Sequence, residues 1–199
     1  MTRRLVAVLA PPPVPGFPSA GLRAAMVEDG YETVAALELV EPVLALGADP
    51  ADDDLQGVVW PGTPVLRLPE RTVTAALAGL AALGADEATV VAGDVPDLPG
   101  LLIGKLHRGL GSAEVAVLPA ADGGLVALAT RCPVPDWVRS AAVDLDSRDA
   151  LELLRAAAPR RTAVSVGPGW HRVRVPSDVA SLDPGLEGWD LTRQQLGRG

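Results

Sequence analysis

Gly93-Asp94-Val95-Pro96-Asp97-Leu98-Pro99 sets a carboxylate between a glycine and two prolines. The β-branched apolar run Thr89 to Ala92 predicts a strand that stops at Gly93. Pro96 and Pro99 forbid its continuation and favour the first turn of a helix. Asp94 is therefore expected at the carboxyl end of a buried strand, the edge at which open α/β sheets bind ligands. A carboxylate there can hold a divalent cation that bridges nucleotide phosphates. The same residues allow a plainer reading, in which Asp94 closes a turn and Asp97 caps the following helix.

Other groups able to do chemistry are scattered. Asp122-Gly123-Gly124 lies in a Gly-rich connection between two predicted strands, Glu114 to Leu118 and Leu125 to Ala129. Arg172 and Arg174 alternate along a predicted strand, His171 to Val175, and so share one side of it. They read either as an anion site for phosphate or carboxylate or as exposed strand residues. Asp144 and Asp146 precede a helix at Ser147, as further cation ligands or as an ordinary acidic first turn. Asp52-Asp53-Asp54 reads as a solvated surface, and His107 and His171 as surface or cap residues.

Familiar catalytic words are missing. No Gly-x-Gly-x-x-Gly follows a strand, no Walker lysine is present, and there is no Gly-x-Ser-x-Gly elbow. Dinucleotide oxidoreductases, P-loop enzymes and α/β-hydrolases drop out.

The elements that must position these groups belong to a chain of 199 residues, long enough for one sizeable core. Nearly half of it is apolar but only 3% is aromatic, so Ala, Val and Leu must fill that core. Lys105 is the only lysine among 17 Lys and Arg, and the net charge is −8. Such a balance argues against nucleic acid and anionic membranes as partners. A lone Cys132 excludes an internal disulfide and a multi-Cys zinc site. No run approaches the ~18 apolar residues of a membrane span. Arg3-Arg4 with Leu5 to Ala10 is read as a first strand. Its apolar stretch is shorter than the ~7–15 residues of a signal segment, so a cytoplasmic location is expected.

In chain order, the strand Leu5 to Leu9 leads into a proline-rich loop, Ala10 to Pro18. Ser19 caps a helix through Met26, and a second helical piece covers Thr33 to Val40. Val43 to Leu46 and Gly57 to Trp60 read as strands, and Glu70 to Leu83, Leu101 to Leu110 and Ser147 to Ala158 as helices. Thr162 to Val166 is a further strand and Pro176 to Leu182 a last short helix. The pattern is one three-layer α/β domain over 1–182 with a mixed sheet, and a C-terminal arm over 183–199. Four tryptophans supply enough apolar surface to permit a homodimer.

Gly93 to Pro99 resembles the Gly-Asp-x-Pro-x-Leu-Pro segment of a family of bacterial GT-A-fold glycosyl- or nucleotidyltransferase-like proteins. These are similar in turn to 2-phospholactate guanylyltransferase and the molybdenum-cofactor nucleotidyltransferases. Pro119-Ala-Ala-Asp122-Gly123-Gly124 is similar to the family's Pro-Ala-Glu-Asp-Gly-Gly, Leu68-Pro-Glu-Arg71 to its Gly-x-Arg, and Pro176-Ser-Asp178 to its Pro-x-Asp helix start. The resemblance implies a nucleotide-diphospho-sugar transferase (GT-A, Rossmann-like) fold with a mostly parallel sheet. It also implies metal-assisted glycosyl or nucleotidyl transfer from a nucleotide or nucleotide sugar. Asp94 would hold Mg or Mn, and Asp122 would orient or deprotonate an acceptor hydroxyl. Gly93, Pro96, Arg71, Arg23, Gly123, Gly124, Arg172 and Arg174 would contact the nucleotide.

This sequence departs from the pattern where charge matters most. The family's basic Lys-Ala-Pro-x-Pro-Gly-x-x-Lys-Thr-Arg loop becomes Pro11, Ser19 and Gly21 at its basic positions, leaving Arg23 nearest. Its Asp-Val-Asp becomes Arg172-Val-Arg174. The alternative is therefore a catalytically inactive protein of this fold that needs no cofactor and binds an anionic ligand or a protein partner. Whether either arginine reaches Asp94 separates a rebuilt site from a lost one.

Overall fold

The computed structural model describes residues 2–197. Seven strands form one mixed sheet: β1 (Arg4–Leu9), β2 (Glu41–Leu46), β3 (Val65–Arg67), β4 (Glu87–Ala92), β5 (Val115–Pro119), β6 (Leu125–Arg131) and β7 (Val164–Val166), in the spatial order β3-β2-β1-β4-β6-β5-β7. β3, β2, β1 and β4 run parallel, and β6 runs antiparallel between β4 and β5. The helices are α1 (Ala20–Ala35), α2 (Val73–Ala82), α3 (Gly100–Gly109), α4 (Asp136–Ala141), α5 (Ala150–Ala157) and α6 (Asp190–Leu196). This is the mostly parallel α/β sheet expected. After their first residues β1 and β4 are buried throughout and apolar but for Thr89, as strands covered on both faces require. The chain leaves β1 toward β2 on one side and returns to β4 on the other. The crevice between the carboxyl ends of β1 and β4 is thus a topological switch point.

Three differences from expectation change how the chain reaches the crevice. The first helical piece runs on through Gly30 to Ala35 as one helix, α1, because Tyr31, Met26 and Val27 are fully buried and packing outweighs the break offered by Gly30; the rest of the expected second piece, 36–40, lies outside the helix. Gly57 to Trp60 is not a strand. Asp49 caps a 3-10 helix over Pro50–Val58, and the third strand comes later, at β3. His171 to Val175 is extended but pairs with no strand over its length; Trp170 alone bridges to Ala120.

The tail folds back onto the domain. Leu182 and Trp189 join Leu22, Met26 and Val173 in a second apolar cluster. Buried Asp29 of α1 accepts from the Leu191 and Thr192 amides at 3.3 and 2.7 Å, capping the start of α6. No helix among the described residues is long and apolar enough to cross a membrane.

At the amino ends of β1 and β4, the Arg4 Nε donates to Glu87 at 2.7 Å, and His107 Nδ1 lies 3.3 Å from the same carboxylate. His107 is thus no surface residue. Its Nε2 is buried without a partner, and burial pushes its pKa down despite Glu87. The unfolded chain then binds the proton more readily, so stability is lost as pH falls below about 6.5 toward the depressed folded value. His107→Gln is expected to flatten that acid-side loss in melting curves between pH 7 and 5. Parallel curves for the two proteins would reject the assignment.

Candidate functional site

The crevice is built from the end of β4 outward. The Gly93 amide donates to the Leu9 carbonyl at 2.8 Å, and a Cβ at Gly93 would stand 2.9 Å from that oxygen. Only glycine lets β4 leave the sheet this close to β1. Asp94 follows at the carboxyl edge, 3% exposed, and buried Pro96 lies in the turn behind it. The Asp94 carbonyl accepts from the Val173 amide at 2.8 Å, which ties the extended 171–175 segment across the crevice.

That tie delivers Arg172 onto Asp94. Nε and Nη2 donate to Asp94 Oδ1 and Oδ2 at 2.7 and 2.9 Å, a bidentate fork in a site where the arginine is 5% exposed. Nη1 reaches the Leu125 and Leu145 carbonyls at 3.2 and 3.1 Å and Asp146 Oδ1 at 2.8 Å. Burial alone lowers the guanidinium's pKa, but Asp94 and then Asp146 outweigh it and raise it above the ordinary arginine value. Arg172 is a fixed cation.

Arg174 forms the outer tier. Its Nη1 donates to Asp122 at 3.0 Å, and Nη1 and Nη2 reach the Gly123 carbonyl at 3.4 and 3.3 Å. Its Nε is buried without a hydrogen-bond partner, 3.9 Å from Asp146. Gly123 and Gly124 turn the hairpin with φ of +98° and +83°, and a Cβ on Gly124 would meet the Leu145 carbonyl at 2.4 Å. Glycine at 124 lets the hairpin pack on the Leu145 segment that presents Asp146. A cavity of about 180 Å³ opens between these side chains and Pro11, Pro12 and Pro18 of the proline-rich loop. Asp122 faces a second, more open hollow of about 470 Å³, lined also by His171 and Ser177.

Arg23 and Arg71, expected to meet phosphates, do not line this cavity. Both are bound to Asp52, which is fully buried rather than solvated. Arg23 Nη2 pairs with Oδ1, while Arg71 Nη2 and the Gly47 amide each donate to Oδ2 at 2.6 Å. The remaining donors hold the loop: Arg23 Nε on the Pro11 carbonyl at 2.8 Å and Arg71 Nη1 on the Ala10 carbonyl at 3.0 Å. The two arginines position the wall of the cavity instead of its ligand. Asp97 is likewise no helix cap. Its buried carboxylate accepts from His171 Nε2 at 2.8 Å, the Trp170 indole at 3.2 Å and the Asp183 amide at 3.0 Å. That contact clamps the 170–183 segment and makes His171 a partner of Asp97 instead of a surface residue. Nothing in the sequence distinguishes Asp52 from Asp53, or marks Asp97 as a clamp.

A divalent ion does not fit the residues present. Both oxygens of Asp94, the expected ligand, face the Arg172 fork, and the Arg172 guanidinium brings its own positive charge to the position. Among the described residues, no three His, Cys, Asp or Glu side chains are arranged to hold a metal. Cation and carboxylate are both supplied by the chain.

No family model and no curated protein matches this chain. Solved structures do. A nucleotide-diphospho-sugar transferase candidate from Desulfovibrio desulfuricans G20 superposes with a TM-score of 0.69 at 19% identity, over 99% of this chain and 96% of that one. A 4-diphosphocytidyl-2C-methyl-D-erythritol synthase gives 0.64 at 16% identity, over 90% and 96%. A CMP:2-keto-3-deoxy-manno-octonic acid synthetase complexed with CTP gives 0.51 at 11% identity, over the full length of both. At these identities the likeness establishes the fold, that of the nucleotide-diphospho-sugar and nucleotidyltransferases.

Proposed function

We propose that this protein is a nucleotide-dependent transferase whose donor phosphates are met by arginine, not by a metal ion. The observation that carries the reading is Arg172, a buried guanidinium locked on Asp94 at the switch-point crevice. Transfer of a glycosyl or nucleotidyl group leaves negative charge on the departing phosphate, and a preorganised cation there lowers the barrier. A guanidinium supplies that charge with directional donors, and here Asp94 fixes its orientation. Arg174 extends the cationic wall toward the solvent, and the Pro11–Pro18 side of the cavity is apolar enough to take a base or ribose face. The crevice is where this fold places ligands, and one neighbour of the same fold is a CTP complex. Asp122, in the adjoining hollow, is placed to orient an acceptor hydroxyl once Arg174 turns to the donor.

Melting the protein against nucleoside triphosphates and nucleotide sugars, each in Mg²⁺ and in EDTA, tests this. At about 100 times its dissociation constant the right ligand adds about 2.7 kcal/mol. For a chain of this size that is roughly 5–10 °C. The expected shift is the same in EDTA as in Mg²⁺. A shift that needs Mg²⁺ overturns the metal-free donor site, and no shift with any nucleotide overturns the proposal. Binding without turnover of any donor returns the protein to the inactive, ligand-binding alternative.

A further inference from the structure

We infer that Asp146 is a built-in competitor for the donor phosphate, so that nucleotide binding is an exchange of this carboxylate for a phosphate on Arg172 and Arg174. The inference rests on the donor site proposed above and names how it is gated.

Two carboxylates bind Arg172, and their settings differ. Asp94 is 4% exposed in its side chain and holds the guanidinium through two parallel bonds. Asp146 is 53% exposed and touches it through one oxygen, at 2.8 Å. The first is an anchor; the second is exchangeable, as the Asp146 carboxylate stands half in water and loses little solvation by swinging fully into it. Its departure would leave no orphaned donor, because Nη1 has two hydrogens and three acceptors, the Leu125 and Leu145 carbonyls remaining after Asp146 leaves.

The second arginine shows the other half of the exchange. Asp146 Oδ1 stands 3.9 Å from Arg174 Nε, too far for a hydrogen bond, and that Nε is buried with no partner. A donor left unsatisfied in the cavity wall is costly unless a ligand atom completes it. A tetrahedral anion lodged between the two guanidinia offers several oxygens and reaches both, where the planar carboxylate reaches one. Charge points the same way. Asp94, Asp122 and Asp146 outnumber Arg172 and Arg174 around the crevice, so a phosphate is repelled while Asp146 stays and accepted when it swings into solvent.

Calorimetric titration with inorganic pyrophosphate, and then with whichever nucleotide raises the melting temperature, tests the exchange in the full-length protein. Asp146→Asn keeps the shape and removes the charge, and is expected to bind pyrophosphate about tenfold more tightly than the wild type. Asp122→Asn removes the same charge from the adjoining hollow, where it pairs with Arg174, and is the control, expected to tighten binding less than about threefold. Equal gains from the two variants would mean general electrostatics and would overturn the exchange. So would a wild type that binds its nucleotide while Asp146→Asn binds no tighter, with the donor site itself left standing. Failure of every protein to bind pyrophosphate or any nucleotide would overturn the donor site, and the exchange with it.

Discussion

Asp52→Ala is expected to cost about 3–5 kcal/mol of folding free energy, the effect of removing one partner from a buried ion pair. In a chain of this length that lowers the melting temperature by roughly 6–20 °C. The Asp52 side chain is wholly buried and closes three contacts at once, with Arg23, Arg71 and the Gly47 amide. Its loss strands two guanidinia, one of them 4% exposed, whose other donors are committed to the Ala10, Pro11 and Ala51 carbonyls. The neighbouring Asp53→Ala is the comparison. Asp53 is 65% exposed and pairs with Arg67, itself 38% exposed, so its removal should change stability by less than about 0.5 kcal/mol. Urea melts of the two variants read the difference directly, and equal losses would refute the buried triad. The proline-rich loop hangs from the same arginines, so Asp52→Ala should also weaken nucleotide binding below its loss of stability.

Those adjacent aspartates show how far the sequence could be read. β1 and β4 are legible because burial on both faces after their first residues leaves a hydrophobic run, broken only by Thr89 in β4. The β5–β6 hairpin was legible from its glycines. The fates of Asp52 and Asp53 were not, since they are decided by Arg23 and Arg71, many residues away in sequence and brought in by α1 and the turn before α2. The place of β3 is not legible because a three-residue edge strand carries no periodicity, while the end of the 3-10 helix and the two residues after it, Gly57 to Trp60, form a short apolar run. Asp94 was found from its place after a strand. That its partner would be Arg172, 78 residues on, was posed by the sequence as a question of direction and answered by the Val173 amide on the Asp94 carbonyl. Asp97 is not legible as a clamp for the same reason: His171 lies on a stretch that belongs to no strand, and the Asp183 amide comes from beyond the short helix that follows it.

The Asp94–Arg172 pair allows structure and function to be separated by substitution. Arg172→Met alone leaves a buried carboxylate, and Asp94→Leu alone leaves a buried guanidinium. Each is expected to cost about 3–5 kcal/mol. Together they replace the pair with apolar groups of similar volume, an exchange that in buried settings is often neutral. Recovery of at least half the summed loss is expected, short of complete because the Leu125 and Leu145 carbonyls lose the Nη1 donor. Thermal melts of the four proteins give the coupling between the two sites. A pair that merely holds the 171–175 segment across the crevice would leave the stable double variant able to bind nucleotide. A pair that presents the phosphate cation would leave it folded and unresponsive to every nucleotide that shifts the wild type. The second outcome is the one the proposed donor site predicts, because the loop wall and Asp122 survive in the double variant while Arg172, the one guanidinium among the described residues that touches both Asp94 and Asp146, is gone.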